Sequence, residues 1–225
     1  MRKTSPFVFL CIVGVFFFFS CAALPGGPSA ENQRPEYSPS VTETNPFAFA
    51  PPERPARPAI PHFIMGRGLV SPEYLAAFLL DANPQADRAF VEELARIYVE
   101  ESAIEGVNHD VAFAQMSLET GFLRFGNLVM PDQNNFAGLG ATGPGQPGLR
   151  FPDARTGVRA QIQHLKAYAT DAPLNLELVN PRFFLVRRGS SPTINGLAGT
   201  WAEDPLYAEK IKSILERLYF FSFGS

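Results

Sequence analysis

The chain has 225 residues, a length that suits one folded domain with extensions. A formal net charge of −3 and a pI near 5.7 argue against the basic surface typical of nucleic-acid binding, so no nucleic acid is expected as a partner. The two cysteines, Cys11 and Cys21, both lie near the N-terminus, so neither a disulfide nor a metal site is predicted in the folded part, and no cofactor is expected.

Residues 1–21 have the pattern of an export signal. Arg2 and Lys3 provide a positively charged start, and Phe7–Phe19 is an apolar run. This run is too short to be a comfortable transmembrane helix. We therefore predict an exported protein.

The end of this segment resembles the lipobox of bacterial lipoproteins. In such a motif a small residue precedes the cysteine that is lipidated, as Ser20 precedes Cys21 here, although Phe18 departs from the usual small aliphatic residue. Lipidation of Cys21 would anchor the protein to a membrane, facing the periplasm or the cell wall. Ordinary cleavage after Ala22 or Ala23 would instead secrete it.

Residues 22–70 are predicted to be a tether, and the folded domain is predicted to span residues 71–221. Ten of the 21 prolines fall between Pro25 and Pro61, with little periodic apolar content. Such a segment buries too little apolar surface to offset its ordering entropy, so it is expected to stay extended or disordered.

The first two helices are predicted from proline at their starts. Ser71-Pro72 opens the first helix, and Asn83-Pro84 opens a second helix that ends before Gly106. The polar face of the second helix, which includes Glu101, is predicted to be solvated surface. Neither Glu101 nor Glu105 is expected to be catalytic.

A short third helix is predicted to deliver one carboxylate to its own C-terminal end. Asn108 is a good N-cap, and His109–Leu118 contains neither glycine nor proline and is apolar nearly all round, which indicates burial. Glu119 follows, just before the stop residue Gly121. The negative end of the helix dipole and apolar neighbours such as Phe122 both favour the protonated acid, so the pKa of Glu119 should be raised, as a general acid requires.

The following stretch, 127–152, is rich in glycine and proline and is predicted to form a small irregular or β-hairpin lobe beside a cleft. Gln133, Asn134 and Asn135 carry amides that suit sugar hydroxyl and acetamido groups, and the Phe136 ring suits a pyranose face. Alternatively, some of these amides cap turns. Thr156 is predicted to cap the next helix, and Asp204-Pro205 to open the last one.

Three ordered blocks resemble one family. The blocks are DVAFAQMSLETGF at 110–122, QNNFAGLG at 133–140 and GVRAQIQHLKAY at 157–168. They are similar to the bacterial glucosaminidases, the flagellar-type N-acetylglucosaminidases of the lysozyme-like superfamily, over roughly residues 71–220. The resemblance implies a mainly α, lysozyme-like domain whose small irregular or β lobe forms a cleft.

The resemblance also implies a reaction: hydrolysis of the linkage between N-acetylglucosamine and N-acetylmuramic acid in peptidoglycan, or of another N-acetylglucosamine-containing glycan. Glu119 would be the general acid, and Tyr207, at the start of the last helix, would lie in the cleft near it. Trp201 is either a sugar platform or a core residue.

Glycoside hydrolysis normally uses a second carboxylate. In the family such a residue lies in the small lobe, and Asp153 is the candidate here, although it is equally suited to capping the next helix. The substrate's own N-acetyl group, held by Tyr207, is the alternative. A lytic transglycosylase and a catalytically silent wall-binding lipoprotein are the rival functions.

Overall fold

The computed structural model describes residues 57–126, 129–141, 143 and 146–224. Over these ranges the chain forms helices and isolated β-bridges but no β-strand, so the prediction of a mainly α domain is confirmed. Short 3-10 turns lie at Pro131–Gln133, Phe183–Leu185 and Ile194–Leu197. The α-helices are α1 (Pro72–Ala82), α2 (Arg88–Glu105), α3 (His109–Glu119), α4 (Ala154–Ala169) and α5 (Tyr207–Phe223).

The folded unit begins before residue 71, where the sequence placed its start. Ile64 and Val70 are buried in the main core, and Asn108 N donates to Ile64 O at 2.8 Å. The segment just before α1 therefore belongs to the domain, because its few apolar side chains pack into the main core. Cys21, the export signal and residues 22–56 of the predicted tether lie outside the described residues. Among the helices that are described, none combines the length and apolar content needed to cross a bilayer.

The third helix is the centre of the domain. The side chains of Val111–Ala114 and Met116 are fully buried, and α3 packs against α2, α4 and α5. Asn108 caps α3 as predicted, since its Oδ1 accepts hydrogen bonds from Asp110 N and Val111 N. A helix that is apolar on every side can only be stable when other helices surround it, which explains this central position.

Two of the predicted helix starts are wrong. Helix α2 begins at Arg88 rather than after Asn83-Pro84, because the carboxylate of Asp87 caps it by accepting from Phe90 N at 2.8 Å. The Asn83 side chain instead donates to Phe122 O at 2.8 Å. Helix α4 is capped by Asp153 rather than by Thr156.

The acidic face of α2 also differs from the prediction of a solvated surface. Glu101 is buried and accepts hydrogen bonds from Arg155 at 2.9 Å and Arg159 at 2.8 Å. Glu105 is buried and lies 2.7 Å from Lys166 Nζ. These residues link α2 to α4, and long basic side chains reaching across from α4 make their burial possible.

We expect Lys166→Met to destabilise the protein by about 3–5 kcal/mol, because Glu105 would remain buried without its counter-charge. Chemical unfolding of the purified protein measures this change. The matched control is Lys212→Met, which removes an ion pair with the exposed Glu209 and is expected to cost less than about 1 kcal/mol. Equal losses in the two variants would contradict the structural role of the Glu105–Lys166 pair.

Candidate active site

Glu119 ends α3 at the wall of a cleft of about 630 Å³. The described residues that line this cleft come from the end of α3 and the turn after it, from the small lobe, and from the loop before α5; they are Glu119, Phe125, Val129, Ala137, Gly138, Ala141, Trp201, Ala202, Glu203 and Asp204. The central helix therefore delivers a carboxyl group to the junction of these parts of the domain.

Two hydrogen-bond donors hold one oxygen of this carboxyl group. Tyr207 OH and Trp201 Nε1 both donate to Glu119 Oε1, the latter at 3.2 Å. Burial raises the pKa of Glu119 above its ordinary value, although these two hydrogen bonds act in the opposite direction. The predicted direction of the shift is thus confirmed, and the dominant cause is loss of water around the carboxylate.

The second carboxyl oxygen faces Gly138. A Cβ atom at this glycine would lie 3.4 Å from Glu119 Oε2, and its φ of +63° is one that residues with side chains rarely adopt. Because Oε1 already accepts from both Tyr207 and Trp201, a proton on the neutral acid belongs on Oε2. Gly138 keeps the space beside that proton open.

A chain of buried hydrogen bonds continues from Tyr207 into the core. Gln115 Nε2 donates to Tyr207 OH at 3.0 Å, Gln161 Nε2 donates to Gln115 Oε1 at 2.8 Å, and Tyr98 OH donates to Gln161 Oε1 at 2.5 Å. Every donor in the series points toward Glu119. Burial and the nearby Glu119 charge raise the pKa of Tyr207 well above its usual value, so its hydroxyl keeps its proton and remains a donor.

Trp201 belongs to an aromatic cluster as well as to the cleft. Its ring centroid lies 5.0 Å from that of His164 and 5.7 Å from that of Tyr168. Burial lowers the pKa of His164 to about 4, so this imidazole is neutral at physiological pH and serves packing. The two alternatives for Trp201 are therefore not exclusive, because the ring packs on the core and lines the cleft.

The turn after Glu119 has an unusual backbone. Phe122, Leu123 and Phe125 have φ values of 58°, 60° and 56°, in the left-handed region that bulky residues seldom occupy. Thr120 holds this turn, because its Oγ1 donates to Met116 O at 2.8 Å and accepts from Leu123 N at 2.9 Å. The strained turn brings Phe125 to the cleft wall.

The small-lobe block QNNF (residues 133–136) does not line the cleft; its side chains support the lobe that does. Gln133 Nε2 donates to Pro147 O at 2.9 Å, and Asn134 Nδ2 donates to Phe151 O at 3.1 Å. Asn135 is 1 % exposed, and its amide bridges Leu139 N and O. These amides are occupied by the backbone of their own lobe.

Phe136, the aromatic member of this block, is buried in the main core beside Phe90. Next to it, Gly157 of α4 lies so close to the lobe that an added Cβ would meet Asn134 O at 1.7 Å. The burial of Gln133, Asn135 and Phe136 contradicts the prediction that they contact sugar, whereas for the half-buried Asn134 it stays a prediction. Their side chains build the lobe and fix it to α4.

Asp153 is also placed away from Glu119. Its carboxylate accepts from Thr156 N at 2.7 Å at the start of α4, and it lines a separate shallow groove beside Arg155 and Arg159. The hydrogen bond from the Thr156 backbone lowers the pKa of Asp153. Of the two roles open to Asp153 from the sequence, the structure supports the cap.

Comparison with known proteins agrees with this architecture. A family model described as mannosyl-glycoprotein endo-beta-N-acetylglucosaminidase matches residues 95–220, which contain Glu119, Trp201 and Tyr207. The chain belongs to the glucosaminidase family. It is also similar to an uncharacterized protein of Borreliella burgdorferi, with 47% identity over 156 residues that cover 69% of this chain and 76% of that protein. The family implies a glycoside hydrolase.

Several site residues of this glucosaminidase were not found from its sequence. Gln115 and Gln161 are polar residues on otherwise apolar helix faces. A polar side chain in such a position indicates a buried hydrogen-bond partner, and this was the sequence feature that could have identified them. Glu203 lines the cleft two positions after Trp201, outside the small lobe in which the resemblance implied a second carboxylate.

We expect Gly138→Ala to lower glycoside hydrolase activity by about 10- to 100-fold, because the new methyl group would fill the space beside Glu119 Oε2 from which the proton must reach the substrate. Activity on peptidoglycan and the unfolding midpoint should be measured together. The control is Gly106→Ala at a φ of +75°, where an added Cβ meets only Met65 Cε at 3.6 Å. It shares the backbone strain but lies at the end of α2, so a comparable activity loss there would contradict the steric explanation.

Proposed function

We propose that this protein is an endo-β-N-acetylglucosaminidase that hydrolyses peptidoglycan between N-acetylglucosamine and N-acetylmuramic acid, with Glu119 as its general acid. The observation that carries the proposal is the state of Glu119: a carboxyl group with a raised pKa, held by Tyr207 and Trp201 on one oxygen and open on the other. Membership of the glucosaminidase family supports the substrate class.

The acid step follows from this geometry. The proton on Glu119 Oε2 passes to the glycosidic oxygen as the bond from that oxygen to the anomeric carbon breaks. The sugar on the far side then leaves as an alcohol rather than as an alkoxide. Tyr207 and Trp201 continue to donate to Oε1 and stabilise the carboxylate that remains.

Tyr207 is proposed as a positioning residue. Its hydroxyl already donates to Glu119 and accepts from Gln115, and the residue is 5 % exposed, so little of it is available to hold an N-acetyl group. Asp153 is engaged at the start of α4. These two observations argue against Asp153 as the second carboxylate and against a substrate N-acetyl group held by Tyr207.

We also propose that the enzyme is exported and held at a membrane by a lipid on Cys21. The support lies in the sequence alone: Arg2 and Lys3, an apolar run, and the lipobox-like Ser20-Cys21. A tether rich in proline after Cys21 would let the domain reach the cell wall while remaining anchored.

Digestion of purified peptidoglycan tests the reaction. Borohydride reduction of the products is expected to give N-acetylglucosaminitol, because hydrolysis after N-acetylglucosamine leaves that sugar as the reducing end. Products with 1,6-anhydro-muramic ends would establish a lytic transglycosylase instead. Binding without any product would establish the silent wall-binding protein.

Glu119→Gln is expected to reduce turnover by about 100-fold or more, since the amide can still accept from Tyr207 and Trp201 but cannot supply the proton. Near-normal turnover in a folded variant would refute the assignment. The variant also has a stability signature. Because the folded pKa of Glu119 is raised, its contribution to stability is lost as pH rises from the unfolded pKa through the folded one, so the difference in stability between wild type and glutamine variant should change over this range.

Cys21→Ser is expected to abolish labelling by a fatty-acid analogue and to move the protein out of the membrane fraction. Cys11→Ser, which alters the other cysteine of the chain, is the matched control and should leave labelling intact. Wild-type protein that takes up no label would contradict the lipoprotein proposal.

A further inference from the structure

Three carboxyl groups of the described residues line the cleft, those of Glu119, Glu203 and Asp204. Asp204 is committed to the start of α5: Oδ1 accepts from Leu206 N at 2.9 Å, and Oδ2 lies 2.5 Å from Lys210 Nζ. The hydrogen bond from the Lys210 ammonium lowers the pKa of Asp204. This carboxylate therefore stays ionised and is held at the start of α5. Glu203 is the carboxylate that remains.

Glu203 sits on a backbone that is fixed while its side chain is free. The preceding residue, Ala202, accepts from Gly199 N at 2.7 Å and donates to Leu197 O at 3.4 Å, and the following residue is the anchored Asp204. The Glu203 side chain itself is exposed and makes no hydrogen bond or ion pair with any residue that the structure describes. A carboxylate with unused oxygens at the cleft wall is suited to binding water.

The acid and the base of a hydrolase need opposite environments. Glu119 is shielded by the two donors Tyr207 and Trp201, whereas Glu203 is open to water. The loop before α5 carries Trp201 and Glu203 two residues apart, and Tyr207 lies four residues further along. One short stretch therefore supplies the groups that position the acid and a free carboxylate in the same cleft.

We propose that Glu203 is the general base that activates the hydrolytic water, an inference that rests on the proposed glycosidase activity. Water attacks the anomeric carbon and gives one proton to Glu203. The bond from that carbon to the glycosidic oxygen breaks, its electron pair stays on the oxygen, and Glu119 protonates it. One water is consumed, and proton exchange with solvent restores both carboxyl groups. A single displacement of this kind inverts the anomeric configuration.

The first test compares four variants on a purified muropeptide tetrasaccharide. Glu203→Gln is expected to lower kcat about 100-fold with little change in KM or unfolding midpoint, and Glu203→Asp should retain part of the activity. Glu216→Gln, an exposed glutamate of α5 outside the cleft, and Asp153→Asn should both keep near-normal kcat. Normal turnover by Glu203→Gln, or a large loss in Asp153→Asn, would overturn the proposal.

The second test uses readouts that a structural role would not change. The pH profile of kcat/KM should lose its acid-side fall in Glu203→Gln and keep its alkaline-side fall, which reports Glu119. Azide is a nucleophile that needs no general base. Added azide should therefore restore turnover in Glu203→Gln and form a glycosyl azide of inverted configuration. NMR showing a retained anomer in the wild-type product would refute a single displacement.

The two proposals fail separately. If Glu119→Gln is inactive while Glu203→Gln is normal, the glycosidase stands and the role of Glu203 is refuted. If the wild type releases no reducing ends from any N-acetylglucosamine-containing glycan, the proposed function fails first.

Discussion

The hydrogen bonding of one partly buried carboxyl group, that of Glu119, constrains how the helices of this domain pack together. Its hydrogen-bond partners come from the loop before α5 and from α5 itself, and the chain behind them runs through Gln115 of α3 and Gln161 of α4 to Tyr98 of α2. An unsatisfied member of such a buried series costs about 1–3 kcal/mol. The register of four helices is therefore coupled to the orientation of a single side chain.

Two acidic residues of this domain, Glu101 and Glu119, have pKa values shifted in opposite directions. Burial alone would raise the pKa of Glu101, but hydrogen bonds from Arg159 and Arg155 outweigh it and lower that pKa. Glu119 receives only neutral donors among the described residues, so burial prevails and its pKa rises. Burial, with no cation of the described residues hydrogen-bonded to the carboxyl group, gives Glu119 the state that acid chemistry requires.

Sequence reasoning succeeded where the information is local. The buried run of α3 and its Asn108 cap depend on residues within a few turns of one another, and the apolar residues around Glu119 were enough to predict the direction of its pKa shift. It failed where partners are distant: Glu101 meets Arg159 58 positions away, and an acidic residue on α2 gives no local sign of that pairing. The amides of Asn134 and Asn135 were ambiguous for a similar reason, because turn capping and sugar binding use the same groups.

The strained turn at Phe122, Leu123 and Phe125 sets backbone strain against side-chain packing. Each left-handed bulky residue costs about 1 kcal/mol or more. All three side chains pack against the main core, and burial of an apolar side chain of this size contributes up to about 1.5–3 kcal/mol. Glycine would relieve the strain but also remove the packing, so the same apolar side chains that strain the turn tie the end of α3 to the core.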